Sequence, residues 1–218
     1  MTLDATPAVS RDFGRATTMI GAFSRRVVVA PLPKWTVDGR AVTLLVAFAG
    51  AVVVRAALAG PSGARSVSAG LTFAAVLAAL TVACRAKPRL SPRIIAIGIG
   101  VGAVLVAPAA LHLGVRASLP AGAFPTWALL TAVVAGAEEA FLRGALFDAV
   151  QRRHSADAAV VVGALAFAAL HVPLYGWHVL PLDFTVGLVL GATRLVAGTW
   201  TAPAIAHIGA DFAGWWLL

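Results

Sequence analysis

Long apolar runs, separated by short polar and basic stretches, make up most of the chain from about residue 41 onward. Two of these runs, Ala41–Leu58 and Ile94–Leu111, approach the ~20 apolar residues with which an α-helix crosses the hydrocarbon core of a bilayer. We place seven predicted spans at 41–60, 68–84, 93–114, 124–150, 157–173, 179–197 and 199–217. The pattern therefore predicts an all-α fold, a polytopic transmembrane helical bundle of about seven spans.

The composition indicates the same environment. Of the 218 residues, 60% are hydrophobic and 12% are charged, whereas an average soluble domain carries about 25% charged residues. The single cysteine, Cys84, excludes an intrachain disulfide and a zinc site built on cysteines. The net charge of +8 does not indicate nucleic-acid binding, because the charges lie between the apolar segments. The lipid bilayer, and no nucleic acid, is the expected partner.

The basic residues are distributed unevenly between the two sides of the predicted bundle. One side receives the basic N-terminal segment 1–40 and the residues Arg85, Lys87, Arg89, Arg93, Arg152, Arg153 and Arg194. The other side receives only Arg65 and Arg116, while Arg55 and Arg143 fall inside spans. Because Lys and Arg accumulate in cytoplasmic loops, we expect the N-terminus inside and the C-terminus outside. Segment 1–40 is then cytoplasmic, and residues 41–218 form the transmembrane domain.

Three polar clusters interrupt the late spans: EEAFLR at 138–143, FAALH at 167–171 and HIGAD at 207–211. Glu138 and His171 lie equally far in sequence from the turn between the fourth and fifth spans, which is ~25 Å along each helix at ~1.5 Å per residue. Antiparallel neighbours would carry both side chains at the same depth, and His207 matches that depth approximately. Ionisable groups are costly inside a membrane unless they are paired or functional, so the convergence predicts a functional polar site.

The spacing within the clusters favours particular roles. Glu139 and Arg143 are four residues apart, which favours an intrahelical ion pair and leaves Glu138 turned ~100° away to face His171 and the last helix. A buried carboxylate beside imidazoles can deprotonate a water while a second group stabilises the resulting oxyanion. Glu138 is thus the candidate base and His171 its partner, and His207 and Asp211 would meet the substrate carbonyl. A hydrogen-bonded structural role for each histidine, or a proton-coupled carrier, is the alternative.

A catalytic metal is a further alternative. Two histidines and one carboxylate are enough for a catalytic zinc, and Glu138, His171 and His207 would be its ligands. No H-E-x-x-H pattern is present, and local spacing does not signal a site assembled from three helices. We therefore expect that no cofactor is required, with zinc as the alternative.

Two glycine patterns indicate close helix packing. GIGVG at 98–102 has no preceding strand and lies in the middle of a span, so packing is favoured over a nucleotide-binding loop. Gly187-x-x-x-Gly191 has the small-residue spacing that lets two membrane helices approach each other.

The three clusters also resemble the motifs of a known family, the CPBP (CAAX protease and bacteriocin-processing) family of intramembrane proteases. The family includes the type II CAAX prenyl endopeptidases and bacteriocin-immunity relatives. The EExxxR motif corresponds to Glu138, Glu139 and Arg143, and the FxxxH motif to Phe167 and His171. The third motif corresponds to His207 and position 211. The resemblance covers about residues 124–217, which would form the catalytic core.

This resemblance implies an intramembrane endopeptidase that opens toward the cytosol and cleaves a membrane-associated peptide or protein. It implies that Glu138 is the catalytic glutamate, that His171 helps it to activate water, and that His207 and the residue at 211 bind the oxyanion. It also implies a mechanism without an obligatory metal. Glu139, Arg143 and Phe167 carry over as motif residues. The alanine-, valine- and glycine-rich basic composition is typical of GC-rich bacteria, so we expect a multi-pass protein of the bacterial plasma membrane.

One position departs from the family pattern. The third motif usually ends in Asn, and this chain has Asp211. An amide can donate a hydrogen bond to an oxyanion, whereas an ionised carboxylate cannot. Three interpretations follow: Asp211 is protonated, or it pairs with His207 and leaves that ring as the donor, or the protein has become a non-catalytic immunity or scaffold protein.

Overall fold

The computed structural model describes residues 39–113 and 123–217, and all of the regular structure in these ranges is helical. The α-helices are α1 (Gly39–Ala59), α2 (Val67–Ala83), α3 (Pro92–Leu113), α4 (Phe124–Glu139), α5 (Phe147–Gln151), α6 (Ala156–Tyr175), α7 (Leu180–Ala197) and α8 (Thr201–Leu217). A π-helical segment, Ala140–Leu146, joins α4 to α5, and short 3-10 helices occupy Gly60–Arg65 and Trp177–Val179. The all-α prediction is confirmed, and the predicted helices agree with these bounds to within about two residues. The predicted cytoplasmic segment 1–40 lies outside the described residues except for its last two, which begin α1.

Four helical stretches are long and apolar enough to cross a bilayer: Gly39–Ala59, Pro92–Leu111, Ala156–Tyr175 and Trp177–Ala197. The helix Val67–Ala83 is apolar but shorter. The span predicted at 124–150 is one continuous helical run, but its central turns are π-helical rather than α-helical. By length and composition, the described part of the chain is that of an integral membrane protein.

Successive helices alternate between two ends of the bundle. One end carries residues 84–91, the α5–α6 turn and the α7–α8 turn, and we call it the basic end because Arg85, Lys87, Arg89, Arg152 and Arg153 lie there. The opposite end carries the α1–α2 and α6–α7 connections, the start of α4 and the finish of α8. Contacts support this arrangement: a Cβ on Gly63 would lie 3.9 Å from the Leu174 carbonyl oxygen. The position of each candidate site residue along the bundle can therefore be described relative to these two ends.

Glycines bring two helix pairs into close contact, as the sequence patterns predicted. A Cβ on Gly98 of α3 would lie 2.7 Å from Cβ of Ile205 in α8, and one on Gly102 would lie 3.1 Å from the Ala206 carbonyl oxygen. A Cβ on Gly187 of α7 would lie 2.8 Å from Cα of Ala164 in α6. The backbones of α3 and α8, and of α6 and α7, therefore approach more closely than larger side chains would allow.

Helix α1 packs against the middle of the bundle. The ring of Phe48 stacks on the ring of Phe141 in the π segment, with centroids 5.3 Å apart, and is tilted against Phe73 of α2 at 6.2 Å. This packing places α1 beside the EExxxR motif. At the opposite end, α4 and α8 form an aromatic cluster of Phe124, Trp127, Phe212, Trp215 and Trp216. Aromatic residues concentrate in this way at membrane–water interfaces.

Candidate active site

Arg143 lies at the centre of the site, in the π segment, and is 1% exposed. Its Nη1 donates to Oε1 of Glu139 at 2.9 Å, and its Nη2 donates to the Gly187 carbonyl at 3.1 Å. The guanidinium carbon lies 4.9 Å from the centroid of the Phe167 ring. The predicted Glu139–Arg143 ion pair is therefore present, and the same arginine also connects the π segment to α6 and α7.

Glu138 has a partner that the sequence interpretation did not assign. Nη1 of Arg55, near the end of α1, donates to Oε1 of Glu138 at 2.9 Å, and both side chains are largely buried. The Arg55 guanidinium also lies 4.6 Å from the centroid of the Phe73 ring. The sequence analysis expected Glu138 to face His171 and the last helix, and it did not predict an ion pair with α1. A buried carboxylate needs a compensating charge, and α1 supplies it.

His207 contacts two carboxylates, one at each ring nitrogen. Its Nδ1 lies 3.1 Å from Oε1 of Glu139, and its Nε2 lies 3.6 Å from Oδ2 of Asp211. The second distance is too long for a hydrogen bond, so the ring is held through Nδ1. Glu139 is fully buried, and its second oxygen, Oε2, has no hydrogen-bond partner among the described residues. The histidine of the third motif is therefore anchored to the second glutamate of the first motif, not to Glu138.

His171 is also held through Nδ1. This nitrogen lies 3.0 Å from the Phe167 carbonyl oxygen and 3.4 Å from Oδ2 of Asp183 near the start of α7. Both neighbours are acceptors, so Nδ1 carries the proton and Nε2 of a neutral ring is the acceptor. The ring of Tyr175, one turn further along α6, lies 5.7 Å from the His171 ring. The side chains around His171 thus fix both its orientation and its tautomer.

Phe167 brings the three motifs into contact. Its ring lies edge-to-face against His171, with centroids 4.7 Å apart, and against His207 at 5.3 Å. The Arg143 guanidinium covers the same ring. The charge of Asp211 acts on Glu138, Glu139, His171 and His207, which places the aspartate within the same electrostatic neighbourhood. All seven residues singled out in the motifs therefore converge on one region of the bundle.

The arrangement of the site residues does not match that of a metal-binding site. Within the described ranges, no three His, Cys, Asp or Glu side chains are grouped so that they could hold a metal ion. Oε1 of Glu138 is occupied by Arg55, and the Nδ1 atoms of both histidines face other groups.

The site extends from the middle of the bundle, at Arg143 and His207, toward the opposite end. Arg55 lies about one turn before the end of α1, and His171 lies about one turn before the end of α6. Asp183 lies about one turn after the start of α7. Exposure also increases in this direction, since Glu139 is fully buried, the Asp211 side chain is 38% exposed and Tyr175 is 50% exposed. The resemblance implied a site open to the cytosol, whereas the basic residues place the cytosol at the basic end. These two expectations are incompatible with each other.

The described helices thus bring together two buried glutamates, two anchored histidines and two paired arginines, and most of these are residues of the three motifs. Residues 120–213 match the family described as type II CAAX prenyl endopeptidase, Rce1-like. The matched segment contains all three motifs, so the family resemblance is confirmed there, and this family implies a protease. No curated protein and no solved structure matches the chain.

The sequence interpretation missed three residues at the site: Arg55, Asp183 and Tyr175. Arg55 and Asp183 could have been singled out as ionisable residues in predicted spans, since such residues are rarely left without a partner. Their particular partners depend on which helices are neighbours, and periodicity does not encode this. Tyr175 gave no signal, because a lone tyrosine near a span end is ordinary at a membrane interface.

Proposed function

We propose that the protein is an intramembrane endopeptidase that hydrolyses a peptide bond in a membrane-associated peptide or protein. The observation that carries this proposal is the common anchoring of the two histidines. Each ring is held through Nδ1 by an acceptor, so each Nε2 is left for the reaction. Histidines that orient water or substrate are typically fixed in this way by a carboxylate or carbonyl on the other nitrogen.

Water activation is assigned to Glu138 and His171. Arg55 holds Oε1 of Glu138, so Oε2 is left to accept a proton from the attacking water. Nε2 of His171 accepts the second hydrogen bond of that water and orients its lone pair toward the substrate carbonyl carbon. The proton taken by Glu138 then passes to the leaving amine, which restores the carboxylate.

Oxyanion stabilisation is assigned to His207. Glu139 accepts a hydrogen bond from its Nδ1, so a protonated ring can donate from Nε2 to the oxygen that becomes negative in the transition state. Asp211 lies 3.6 Å from Nε2, beyond hydrogen-bond distance, so an ionised Asp211 stabilises the protonated ring electrostatically and leaves the N–H at Nε2 to donate to the oxyanion. Arg143 acts indirectly, because it fixes Glu139 and packs on Phe167.

The mechanism that we propose needs no metal. The proton acceptor, the water-orienting ring and the oxyanion donor are all side chains of this chain, so a chelator should leave the rate of cleavage unchanged. Loss of activity on incubation with a chelator, restored by added zinc, would contradict this mechanism.

For orientation, we propose seven spans, with the N-terminus in the cytoplasm of a bacterial cell and the C-terminus outside. The concentration of Arg and Lys at the basic end supports this assignment. Because the site lies toward the other end of the bundle, it then opens to the non-cytoplasmic side. The substrate is accordingly a peptide or tail that enters the membrane from that side.

The test compares the membrane peptides of cells that carry the parent protein, Glu138→Gln or Asp157→Asn. The control Asp157 is an exposed carboxylate in the first turn of α6, far from the site. New peptide ends should appear with the parent and with Asp157→Asn and be absent with Glu138→Gln, at equal amounts of the three proteins. Identical peptides in all three strains would refute the proposal and favour a non-catalytic immunity or scaffold protein.

His171→Ala and Glu139→Gln complete the comparison. Loss of cleavage in His171→Ala is expected, because the attacking water loses its orienting acceptor. Cleavage that survives Glu138→Gln but is abolished by Glu139→Gln would show that the second glutamate is the base, and would overturn the assignment of roles made here.

A further inference from the structure

A pocket of about 240 Å³ opens at the basic end of the bundle, between the α2–α3 loop and the α7–α8 turn. Arg85, Lys87, Arg89 and Arg194 line it, together with one acidic residue, Asp148, and the indole of Trp200. None of these residues belongs to the candidate active site, although Nε of Arg194 contacts the backbone carbonyl of Arg143. The pocket therefore needs an explanation separate from proteolysis.

The charges of this pocket are not balanced within the protein. Its only carboxylate, Asp148, accepts a hydrogen bond from Nη2 of Arg194 at 3.1 Å. No acidic side chain of the described residues pairs with Arg85, Lys87 or Arg89. After the Asp148–Arg194 pair is accounted for, an excess of positive charge faces the cavity. This is the electrostatic character of a site for an anion.

The walls of the pocket are formed by the protein itself. The Thr201 hydroxyl donates to the Arg89 carbonyl, which ties the α2–α3 loop to the start of α8. Trp200 packs over Gly144, where a Cβ would lie 3.0 Å from its Cδ1 and 3.1 Å from Cβ of Ala86. Arg194 is fixed by its Nε, which donates to the Arg143 carbonyl at 2.9 Å. An anion would thus meet a fixed backbone framework and a fixed Arg194, together with the exposed side chains of Arg85, Lys87 and Arg89.

Arg85 adds an independent observation. It adopts a left-handed backbone conformation, with φ of 58°, directly after α2. Glycine occupies such positions without strain, whereas other residues seldom do. A non-glycine residue held there is a reason to look for a function of its side chain, and the Arg85 side chain lines the pocket.

We propose that this pocket binds a phosphate group, supplied in the membrane by the headgroup of an anionic phospholipid. Arginine and lysine side chains are the common ligands of phosphate, and basic pockets between membrane helices at the cytoplasmic surface suit lipid headgroups. The cavity is too small for a whole lipid and has room for a headgroup. The acyl chains would lie along the apolar helix surfaces.

The test measures binding of short-chain phosphatidylglycerol to the full-length protein in detergent by native mass spectrometry. The pocket variant is Arg85→Gln/Lys87→Gln. The matched control is Arg152→Gln/Arg153→Gln, which removes the same charge from exposed positions at the same end but outside the pocket. Each basic residue near an anionic surface contributes about five-fold in affinity, so the pocket variant, which lacks two of them, should bind about 25-fold more weakly than the parent. The control should bind as the parent does.

Inorganic phosphate and short-chain phosphatidylcholine serve as further probes. If the pocket variant weakens the binding of phosphatidylglycerol but inorganic phosphate does not bind, the pocket is a site for a lipid headgroup. If the pocket variant weakens the binding of inorganic phosphate equally, free phosphate is sufficient for binding. If the pocket variant and the control variant weaken binding equally, or neither does, the proposal is wrong. Should the double variant fail to fold, Lys87→Gln alone decides the question, with about a five-fold loss expected.

Discussion

At the scale of single residues, the site is organised by pairing. Each buried charged group has a specific neighbour: Arg55 holds Glu138, Arg143 holds Glu139, and Glu139 also holds His207. Desolvation of an ion in a protein interior is expensive unless a partner and hydrogen bonds compensate for it. The two adjacent glutamates, alike in sequence, are thereby separated in role, because one is anchored by the first helix and the other by its own helix.

The Arg55–Glu138 pair should contribute measurably to stability. Arg55→Gln leaves Glu138 buried without a countercharge, and removal of one partner of a buried ion pair costs ~3–5 kcal/mol. We expect a clearly lower unfolding temperature in detergent for Arg55→Gln, and partial recovery in the double variant Arg55→Gln/Glu138→Gln. Arg65→Gln, which removes an exposed arginine nearby, is the control. Equal unfolding temperatures for Arg55→Gln and the control would show that the pair is not formed.

Asp211 provides a second test at this scale. Asp211→Asn restores the amide that the family motif usually has, and an amide can donate a hydrogen bond to the oxyanion. Cleavage should therefore be at least as fast as in the parent. His207→Ala should be slower by about 10²-fold, the usual effect of losing an oxyanion donor. If Asp211→Asn slows the reaction as much as His207→Ala does, the carboxylate has a catalytic role of its own.

At the scale of helices, the apolar runs and the residues that interrupt them predicted the helices well. Long apolar runs bounded by Arg, Pro and Gly gave bounds that agree with α1–α3 and α6–α8 to within about two residues. The π segment was not predictable in this way, because the residues Ala140–Leu146 have an ordinary helical composition. It contains Arg143, which contacts Glu139 in its own helical run, Gly187 in α7 and Phe167 in α6, and contacts with distant helices are not encoded in local sequence. π-helical turns often occur at functional sites.

Helix packing yields a matched pair of glycine substitutions. Gly98→Ala places a Cβ 2.7 Å from Cβ of Ile205 and 2.8 Å from the Ala202 carbonyl oxygen, whereas a Cβ on Gly100 meets nothing within 4 Å. Overpacking of this kind costs ~1–3 kcal/mol, so Gly98→Ala should lower the unfolding temperature. Gly100→Ala should leave it unchanged or raise it slightly, because alanine favours the helix. Equal behaviour of the two variants would contradict the close approach of α3 and α8.

At the scale of the whole molecule, three motifs that are separate in sequence form one site, and the sequence predicted their convergence from hairpin geometry. It did not predict that α1 contributes to the site, since nothing in a span's periodicity indicates which other spans it contacts. The sequence also gave two conflicting predictions of orientation. The charge distribution places the cytosol at the basic end, whereas the family resemblance implies that the site opens to the cytosol. The position of the site along the bundle exposes that conflict, and only a topology measurement resolves it.

The single cysteine makes that measurement direct. Cys84 lies at the basic end, directly after α2, and is partly exposed. With a cytoplasmic N-terminus, a membrane-impermeant maleimide should label Cys84 in inverted vesicles and not in spheroplasts. Ser68→Cys in a Cys84→Ser background, at the other end of α2, should give the reverse pattern. Labelling of Cys84 in spheroplasts would invert the bundle and open the site to the cytosol.

The Arg55–Glu138 contact also has a consequence for how much of the chain the proposed peptidase activity requires. The family match begins at residue 120, so a fragment cut at that boundary would retain every recognisable motif and lose the cation beside its first glutamate. Helix α1 thus contributes one guanidinium to a cluster whose other charged residues lie on later helices. Catalytic competence should therefore be regained when the two portions are co-expressed as separate polypeptides, provided that α1 can dock.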